Sequence, residues 1–342
     1  MNGILICEDS LTLRLFLRRS FESRGLKVLA EADSGEEALK LAEQLKPDLI
    51  TMDVMLPGMD GFRATQAILS RSPARIIIVS AAGEALQADL SFRALHSGAL
   101  DLVDKPAGGN AGLEDWAEDL CMRVRALLDL PLGLKPASMP RLKRPVVVRR
   151  VLKAFGLVAS TGGPPALAEI LRALAPDLPF PILVALHIAR GFTPGLARWL
   201  STQTRLKVRL AEAFESAEPG TVWLAKDGHD LIWKDGRVHV LPNQGGACPS
   251  GDRLLRSLAV LGAEAGGAVL TGMGSDGAAG LLALRQAGGF AVAQDAASCV
   301  VDGMPAAAVA QGAAEQRLRP EEIGFCIAEL GRLNGAAPSG SA

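Results

Sequence analysis

Short apolar runs alternate with stretches of helical period along this chain, and that alternation admits few folds. In the first 130 residues the apolar runs fall at Ile4–Cys7, Val28–Ala30, Leu49–Met52, Ile76–Val79 and Leu100–Val103. Helix-like stretches such as Glu36–Gln44 and Gly61–Leu69 lie between them. A short continuous apolar run reads as a strand buried on both faces, which needs helices above and below it. Five such βα units predict a doubly wound parallel sheet, with 112–129 as its closing helix.

Residues 131–150 break the pattern. They hold four prolines and six Lys/Arg with no Asp or Glu, a composition that predicts an extended basic linker. A second α/β pattern follows. Ala154–Ala159, Pro181–His187 and Gly267–Thr271 read as buried strands, and Pro164–Leu174, a stretch from about Thr193, and Asp276–Gln286 read as helices. Thr221–Ala225, His229–Trp233 and Arg237–Leu241 read as shorter strands, the last two joined by the hairpin signal Asp235-Gly236. The expected organisation is a domain over 1–130, the linker 131–150, a second domain over 151–334 and a disordered tail over 335–342.

A chain of 342 residues is long enough for two cores. A net charge of -1 gives no global field for nucleic acid or an anionic membrane, and the absence of tyrosine removes one common acid/base and stacking group. Cys7, Cys121, Cys248, Cys299 and Cys326 are scattered without a C-x-x-C pair or metal-ligand spacing, as expected of reduced thiols. Glu8 and Asp9 interrupt the apolar start too early for a signal peptide, and no apolar run approaches the ~20 residues of a membrane span. The expected location is the cytoplasm.

In the first half, Glu8 and Asp9 follow the first strand and Asp53 ends the third. With strands ordered 2-1-3-4-5, these carboxylates share the crevice at the topological switch point. Their mutual repulsion calls for a hard cation, and Mg²⁺ suits a shallow carboxylate site. Ser80 and Lys105 end or follow strands 4 and 5 and add a hydroxyl and a fixed cation to the same rim. Singly, each is as well read as a helix cap or loop residue. Together they suit phosphoryl acceptance on an Asp. Cys7-Glu8-Asp9-Ser10, the run Pro47 to Gly61, Ile78-Val79-Ser80-Ala81 and Asp104-Lys105-Pro106 resemble the response-regulator receiver family over residues 1–130. The resemblance implies a flavodoxin-like, five-stranded parallel domain. It makes Asp53 the phosphoacceptor, and Asp9, Asp53 and the Met55 backbone the Mg²⁺ ligands. Glu8, Ser80 and Lys105 take supporting roles, and a histidine kinase is the phosphodonor. Leu102 stands where many receivers carry a switching aromatic.

In the second half, Ser160 lies between the strand Ala154–Ala159 and the helix start Gly162-Gly163-Pro164, beside unpaired helix N–H groups. The segment is neither a phosphate-binding glycine motif nor the G-x-S-x-G elbow. Alone, Ser160 would be a helix cap, His187 a structural histidine at a strand end, and Asp276 an N-cap. Three strand ends supplying Ser, His and Asp to one edge instead form the nucleophile, base and orienter of acyl transfer. The loop Gly272-Met273-Gly274 offers backbone N–H groups to an oxyanion.

The segments Ala159 to Pro164, His187 to Thr193, Pro249-Ser250-Gly251-Asp252, Thr271 to Gly280, Gln294-Asp295 and Gly303-Met304-Pro305 resemble the chemotaxis protein-glutamate methylesterase (CheB) family over about 153–325. The resemblance implies a doubly wound, Rossmann-like α/β catalytic domain with no cofactor of its own. Ser160 becomes the nucleophile, His187 the base, Asp276 the orienter, and Thr161 and the Met273 backbone the oxyanion support. The implied substrates are γ-glutamyl methyl esters, with glutamine side chains as a second substrate, on chemoreceptor cytoplasmic helices. Ile188, Ala189, Lys226 and Ala296 depart from the usual residues near the presumed substrate groove. Two alternatives stay open on sequence: the same chemistry in a chemotaxis-like pathway not controlling motility, or a non-enzymatic receiver-linked binding module. A DNA-binding output is disfavoured, since no basic recognition helix follows the linker.

Overall fold

In the computed structural model the described residues are 3–72, 74–80, 97–106, 112–128, 150–188 and 191–335. The chain divides into two compact units, Met1–Pro140 and Arg141–Ala342. The expected linker up to residue 149, the tail beyond 335, and His96, Ala189 and Arg190 lie outside the described residues.

The first unit carries β1 (Gly3–Cys7), β2 (Lys27–Ala32), β3 (Leu49–Asp53), β4 (Arg75–Ser80) and β5 (Asp101–Asp104). They pair in the order β2-β1-β3-β4-β5, all parallel. Every expected strand is present within two residues of its expected ends. Residues of β1, β3 and β4 are buried throughout, as strands covered on both faces must be. Ser10 starts the helix Leu11–Ser23, its hydroxyl accepting from Leu13 N at 3.4 Å. Asp60 starts the helix Gly61–Arg71, accepting from Phe62 N at 3.1 Å and Arg63 N at 2.9 Å. Gly61 admits no side chain: a Cβ there would lie 1.9 Å from the Asp53 carbonyl oxygen. That close approach seats the helix directly behind the end of β3.

The second unit is built on seven parallel strands in the order β15-β14-β13-β6-β7-β10-β8. They are β6 (Ala154–Ala159), β7 (Ile182–Leu186), β8 (Lys207–Leu210), β10 (Thr221–Leu224), β13 (Ala265–Val269), β14 (Phe290–Gln294) and β15 (Gln316–Leu318). The chain builds outward from β6 to β7 and beyond, then returns to place β13 on the other side. The switch point therefore lies between β6 and β13. A small antiparallel sheet ordered β11-β12-β9 completes the unit, from β9 (Glu215–Ser216), β11 (His229–Lys234) and β12 (Arg237–Pro242). The β11–β12 turn is Asp235-Gly236 with φ of 51° and 75°, the double left-handed geometry that Asp-Gly favours.

Two boundaries differ from expectation. β13 begins at Ala265, because Gly266 and Gly267 leave space for neighbours: a Cβ at Gly266 would lie 2.5 Å from the Phe155 ring, and one at Gly267 would lie 2.7 Å from Leu255. The helix expected from Asp276 begins at Ala278 and runs to Gln286, so Asp276 stands outside it. Leu255, Leu258, Leu281, Leu284 and Val158 are fully buried between the sheet and its covering helices. Among the described residues no helix is long and apolar enough to cross a membrane.

Candidate functional site

At the carboxyl edge of the first sheet, Glu8, Asp9 and Asp53 each bring a carboxylate oxygen within 4.8 Å of the others. Glu8 and Asp53 are buried, at 1% and 3% exposure, whereas Asp9 faces solvent. Lys105 follows β5 and its Nζ lies 2.7 Å from Asp53 Oδ2 and 2.7 Å from Glu8 Oε2. Asp53 Oδ1 also accepts from Met55 N at 3.2 Å. Ser80 Oγ is wholly buried and has no hydrogen-bond partner among the described residues, which leaves it for an incoming oxygen. Burial pushes the Glu8 carboxyl up; the bond from Lys105 only partly offsets this, and Asp53 adds repulsion, so its pKa sits above the usual value. For Lys105, burial favours the neutral amine, but Asp53 and Glu8 outweigh it and raise the pKa. All-oxygen donors at this spacing suit a hard divalent cation.

In the second unit, Ser160, His187 and Asp276 all lie beyond the carboxyl ends of adjacent strands. β6 and β7 pair through Ala159 and Leu186, the residues immediately before Ser160 and His187. His187 N donates to the Ala159 carbonyl at 3.0 Å. Neighbouring strands run about 4.8 Å apart, and paired residues of parallel strands point to one face. Ser160 is nearly buried, at 6% exposure. Ser160 N donates to the Thr271 carbonyl at 3.0 Å, which ties the turn after β6 to the loop after β13. Gly272 is pressed against Ser160: a Cβ at 272 would lie 2.6 Å from Ser160 Cβ and 2.4 Å from Met304 Sδ. Among the described residues no hydrogen bond joins Ser160 to His187.

His187 Nε2 and Asp276 Oδ2 are 2.8 Å apart. A carboxylate only accepts, so Nε2 is the donor in this pair and Nδ1 is the ring nitrogen left for another partner. Asp276 takes three further bonds. Gly251 N donates to Oδ2 at 2.6 Å, Asp252 N to Oδ1 at 3.0 Å, and Ser250 Oγ to Oδ1 at 3.3 Å. Burial raises the Asp276 pKa, but the bonds from His187, Gly251 and Asp252 outweigh it and hold the group below the usual carboxylate range. The carboxylate thus sits on the N-terminus of the helix Gly251–Ala259, not on the helix that follows it in sequence.

Sequence reasoning assigned no role to the residues beneath this edge. Thr271 Oγ1 donates to the Thr161 carbonyl at 2.9 Å and accepts from Val301 N at 2.9 Å. Gln294 Oε1, on a side chain 1% exposed, accepts from Thr271 N at 2.9 Å. The fully buried Asp230 accepts from Ser250 N at 2.7 Å and pairs with Arg253. The signals were the helix-start pattern Ser250-Gly251-Asp252 after a proline and the place of Thr271 and Gln294 in segments that carry the family resemblance.

A carboxylate pocket with a paired lysine in one unit, and Ser, His and Asp at a switch-point edge in the other, define a response-regulator receiver coupled in one chain to a hydrolase-type α/β domain. The chain matches the model of the CheB methylesterase family over residues 155–327 and that of the response regulator receiver domain over 4–115. It belongs to the CheB methylesterase family. It is 46% identical over 318 residues to protein-glutamate methylesterase/protein-glutamine glutaminase 3 of Myxococcus xanthus, covering 92% of this chain and 89% of that one. It is 42% identical over 335 residues to the protein of the same name from Anaeromyxobacter dehalogenans, covering 94% and 97%. Among solved structures it is similar to the Thermotoga maritima CheB methylesterase catalytic domain, with 32% identity, a TM-score of 0.49, and coverage of 52% of this chain and 98% of that one.

Proposed function

We propose that this protein is a receiver-controlled protein-glutamate methylesterase and protein-glutamine glutaminase in which Ser160 is the nucleophile, His187 the base and Asp276 its orienter. The observation that carries the reading is the 2.8 Å bond from His187 Nε2 to Asp276 Oδ2, on the strand end next to the one that carries Ser160. With Nε2 committed to Asp276, His187 Nδ1 takes the Ser160 proton as Oγ attacks the γ-carbonyl of a glutamyl methyl ester. The C–O bond to methoxide breaks and Nδ1 returns the proton, releasing methanol. His187 then deprotonates a water that cleaves the acyl-enzyme, leaving glutamate and free Ser160. A glutamine side chain passes through the same acyl-enzyme with ammonia as leaving group. Thr161 and the backbone N–H of Met273 support the tetrahedral oxyanion. A Ser160–His187 bond forms in the substrate complex, where catalytic contacts commonly tighten.

In the receiver, Asp53 accepts a phosphoryl group from a phosphohistidine of a histidine kinase. The N–P bond breaks as an Asp53 O–P bond forms. Asp9, Asp53 and the Met55 backbone, with Glu8 in support, would hold a Mg²⁺ ion, which when bound would offset the charge of the transferred group. Lys105 and the unpartnered Ser80 hydroxyl contact the phosphoryl oxygens. The protein substrates are the cytoplasmic helices of methylated chemoreceptors, and the enzyme works in the cytoplasm.

Methanol release from methyl-labelled receptor membranes tests the esterase assignment. Ser160→Ala lowers turnover by roughly 10⁴-fold or more, as in other triads; near-normal cleavage by this variant would refute it.

A further inference from the structure

Asp276 is fixed by the start of one helix, and that helix start is itself fixed by a second carboxylate. Asp252, the second residue of the helix Gly251–Ala259, directs its Oδ1 to Gly280 N at 2.7 Å. Gly280 is the third residue of the helix Ala278–Gln286, one of the N-terminal amides without a partner inside its own helix. The two helices therefore cap each other. Asp276, just ahead of the second, accepts from the first two amides of the first, and Asp252, inside the first turn of the first, accepts from the second.

Two glycines make this crossing close enough. A Cβ at Gly280 would lie 2.7 Å from the Asp252 carbonyl oxygen and 2.8 Å from its Cα. A Cβ at Gly251 would lie 2.2 Å from Val158 Cγ1 and 3.1 Å from Asp276 Oδ2. Asp252 is also the residue whose own backbone N–H holds Asp276 Oδ1, so one residue binds both sides of the crossing. Among the described residues, Asp252 Oδ2 pairs with the guanidinium of the exposed Arg256 at 3.8 Å.

We infer that Asp252 is a positioning residue for the esterase reaction: through its bond to Gly280 N it locks the helix start that aims Asp276 at His187. It touches neither substrate nor His187. Without it, the Gly251 and Asp252 amides keep their chemistry but lose their registry with Asp276, and a displacement of order 1 Å at the orienter is enough to cost about 10²-fold in rate. The loss falls on the step in which His187 gains a proton, so it enters kcat and not substrate binding.

This inference rests on the assignment of Ser160, His187 and Asp276, and the experiment separates the two. Steady-state methanol release and ¹H NMR of the His187 Nε2–H, which hydrogen-bonds to Asp276, are recorded on the full-length protein for wild type, Asp252→Ala, Asp252→Asn and Ser160→Ala. Asp252→Ala lowers kcat roughly 10- to 100-fold with KM within about twofold, and moves or broadens the Nε2–H resonance. Asp252→Asn, which keeps an acceptor oxygen for Gly280 N, recovers most of kcat and the wild-type resonance. Wild-type kcat and an unmoved resonance in Asp252→Ala, with only a lower Tm, overturn the positioning role. Equal losses in the Ala and Asn variants overturn the Gly280 bond as its cause. If Asp252→Ala does not fold, Asp252→Glu replaces it: one extra methylene displaces the carboxylate, the same loss of kcat is expected, and wild-type kcat overturns the proposal. Near-wild-type turnover in Ser160→Ala overturns the triad assignment itself.

Discussion

Asp276 illustrates how far a single carboxylate is specified by what surrounds it. Four donors converge on its two oxygens, one of them His187. An Asp276→Asn side chain keeps the shape but must set an NH₂ either against His187 Nε2 and the Gly251 N–H or against the Asp252 N–H and the Ser250 hydroxyl. The first choice removes the acceptor for His187 Nε2 and the second sets two donors against each other at the helix start that holds residue 276, so turnover at neutral pH falls by about 10⁴-fold, measured as methanol release. The same substitution carries a pH signature in stability. The folded carboxyl sits below its ordinary value of 3.8, so the unfolded chain binds more protons in acid. The stability Asp276 contributes is complete above that value and is lost as pH falls through the depressed folded pKa. Urea unfolding of wild type and Asp276→Asn therefore gives a stability gap that is widest above pH 5 and narrows below pH 4. Lys105 has the opposite sense. Its raised pKa means that its contribution is present below the ordinary value of 10.5 and fades only as pH rises through the folded one. Lys105→Met leaves Glu8 and Asp53 buried without their cation and costs about 3–5 kcal/mol of receiver stability at pH 7. Millimolar Mg²⁺ narrows that loss in urea unfolding, because it neutralises the same carboxylates; an equal loss with and without Mg²⁺ would refute the shared-charge account.

At the scale of elements, the sites sit where each sheet reverses its order of construction, β1 to β3 in the first unit and β6 to β13 in the second. The loops diverge there and leave a crevice. Gly272 shows how tightly the second crevice is built. Gly272→Ala sets a methyl 2.6 Å from Ser160 Cβ, where the turn after β6 cannot yield. We expect a loss of about 10²-fold in kcat against about 1–3 kcal/mol of stability, read by methanol release and urea unfolding; unchanged activity would show that the Ser160 turn relaxes freely. The positions of Ser160, His187 and Asp53 were legible in the sequence because each ends a continuous apolar run, and such runs have few readings. The cradle of Asp276 was not legible. Ser250 and Asp276 lie 26 residues apart, and which helix a carboxylate caps is a tertiary choice that local pattern favours wrongly toward the next helix in line. The segment carrying β14 and the helix Met304–Ala310 was unassigned for a different reason. Its runs of Ala and Gly carry too little hydrophobic contrast to separate a period of 2 from one of 3.6.

For the whole molecule, the question is what phosphorylation of the proposed acceptor Asp53 does to an esterase whose proposed triad belongs to a separate compact unit. Phosphorylation adds about two negative charges to a pocket that already buries Glu8 and Asp53 against a single lysine. On the proposed assignment Lys105 and the Ser80 hydroxyl are drawn toward the phosphoryl group, and any receiver surface coupled to them changes population. Converting a 1:99 equilibrium to 99:1 takes about 5.5 kcal/mol of differential stabilisation, more than one redirected lysine supplies. Activation should therefore be graded. Methanol release by the full-length protein with Mg²⁺ and a small-molecule phosphodonor should rise by roughly 10- to 100-fold, the range reached by about 1.4–2.8 kcal/mol. Asp53→Asn should abolish the response, and residues 151–342 alone should show none. A phosphodonor response that survives in Asp53→Asn, or in the isolated second unit, would place control outside the receiver pocket. A response far beyond 10²-fold would require a larger two-state element than the charge redistribution around Lys105 can drive.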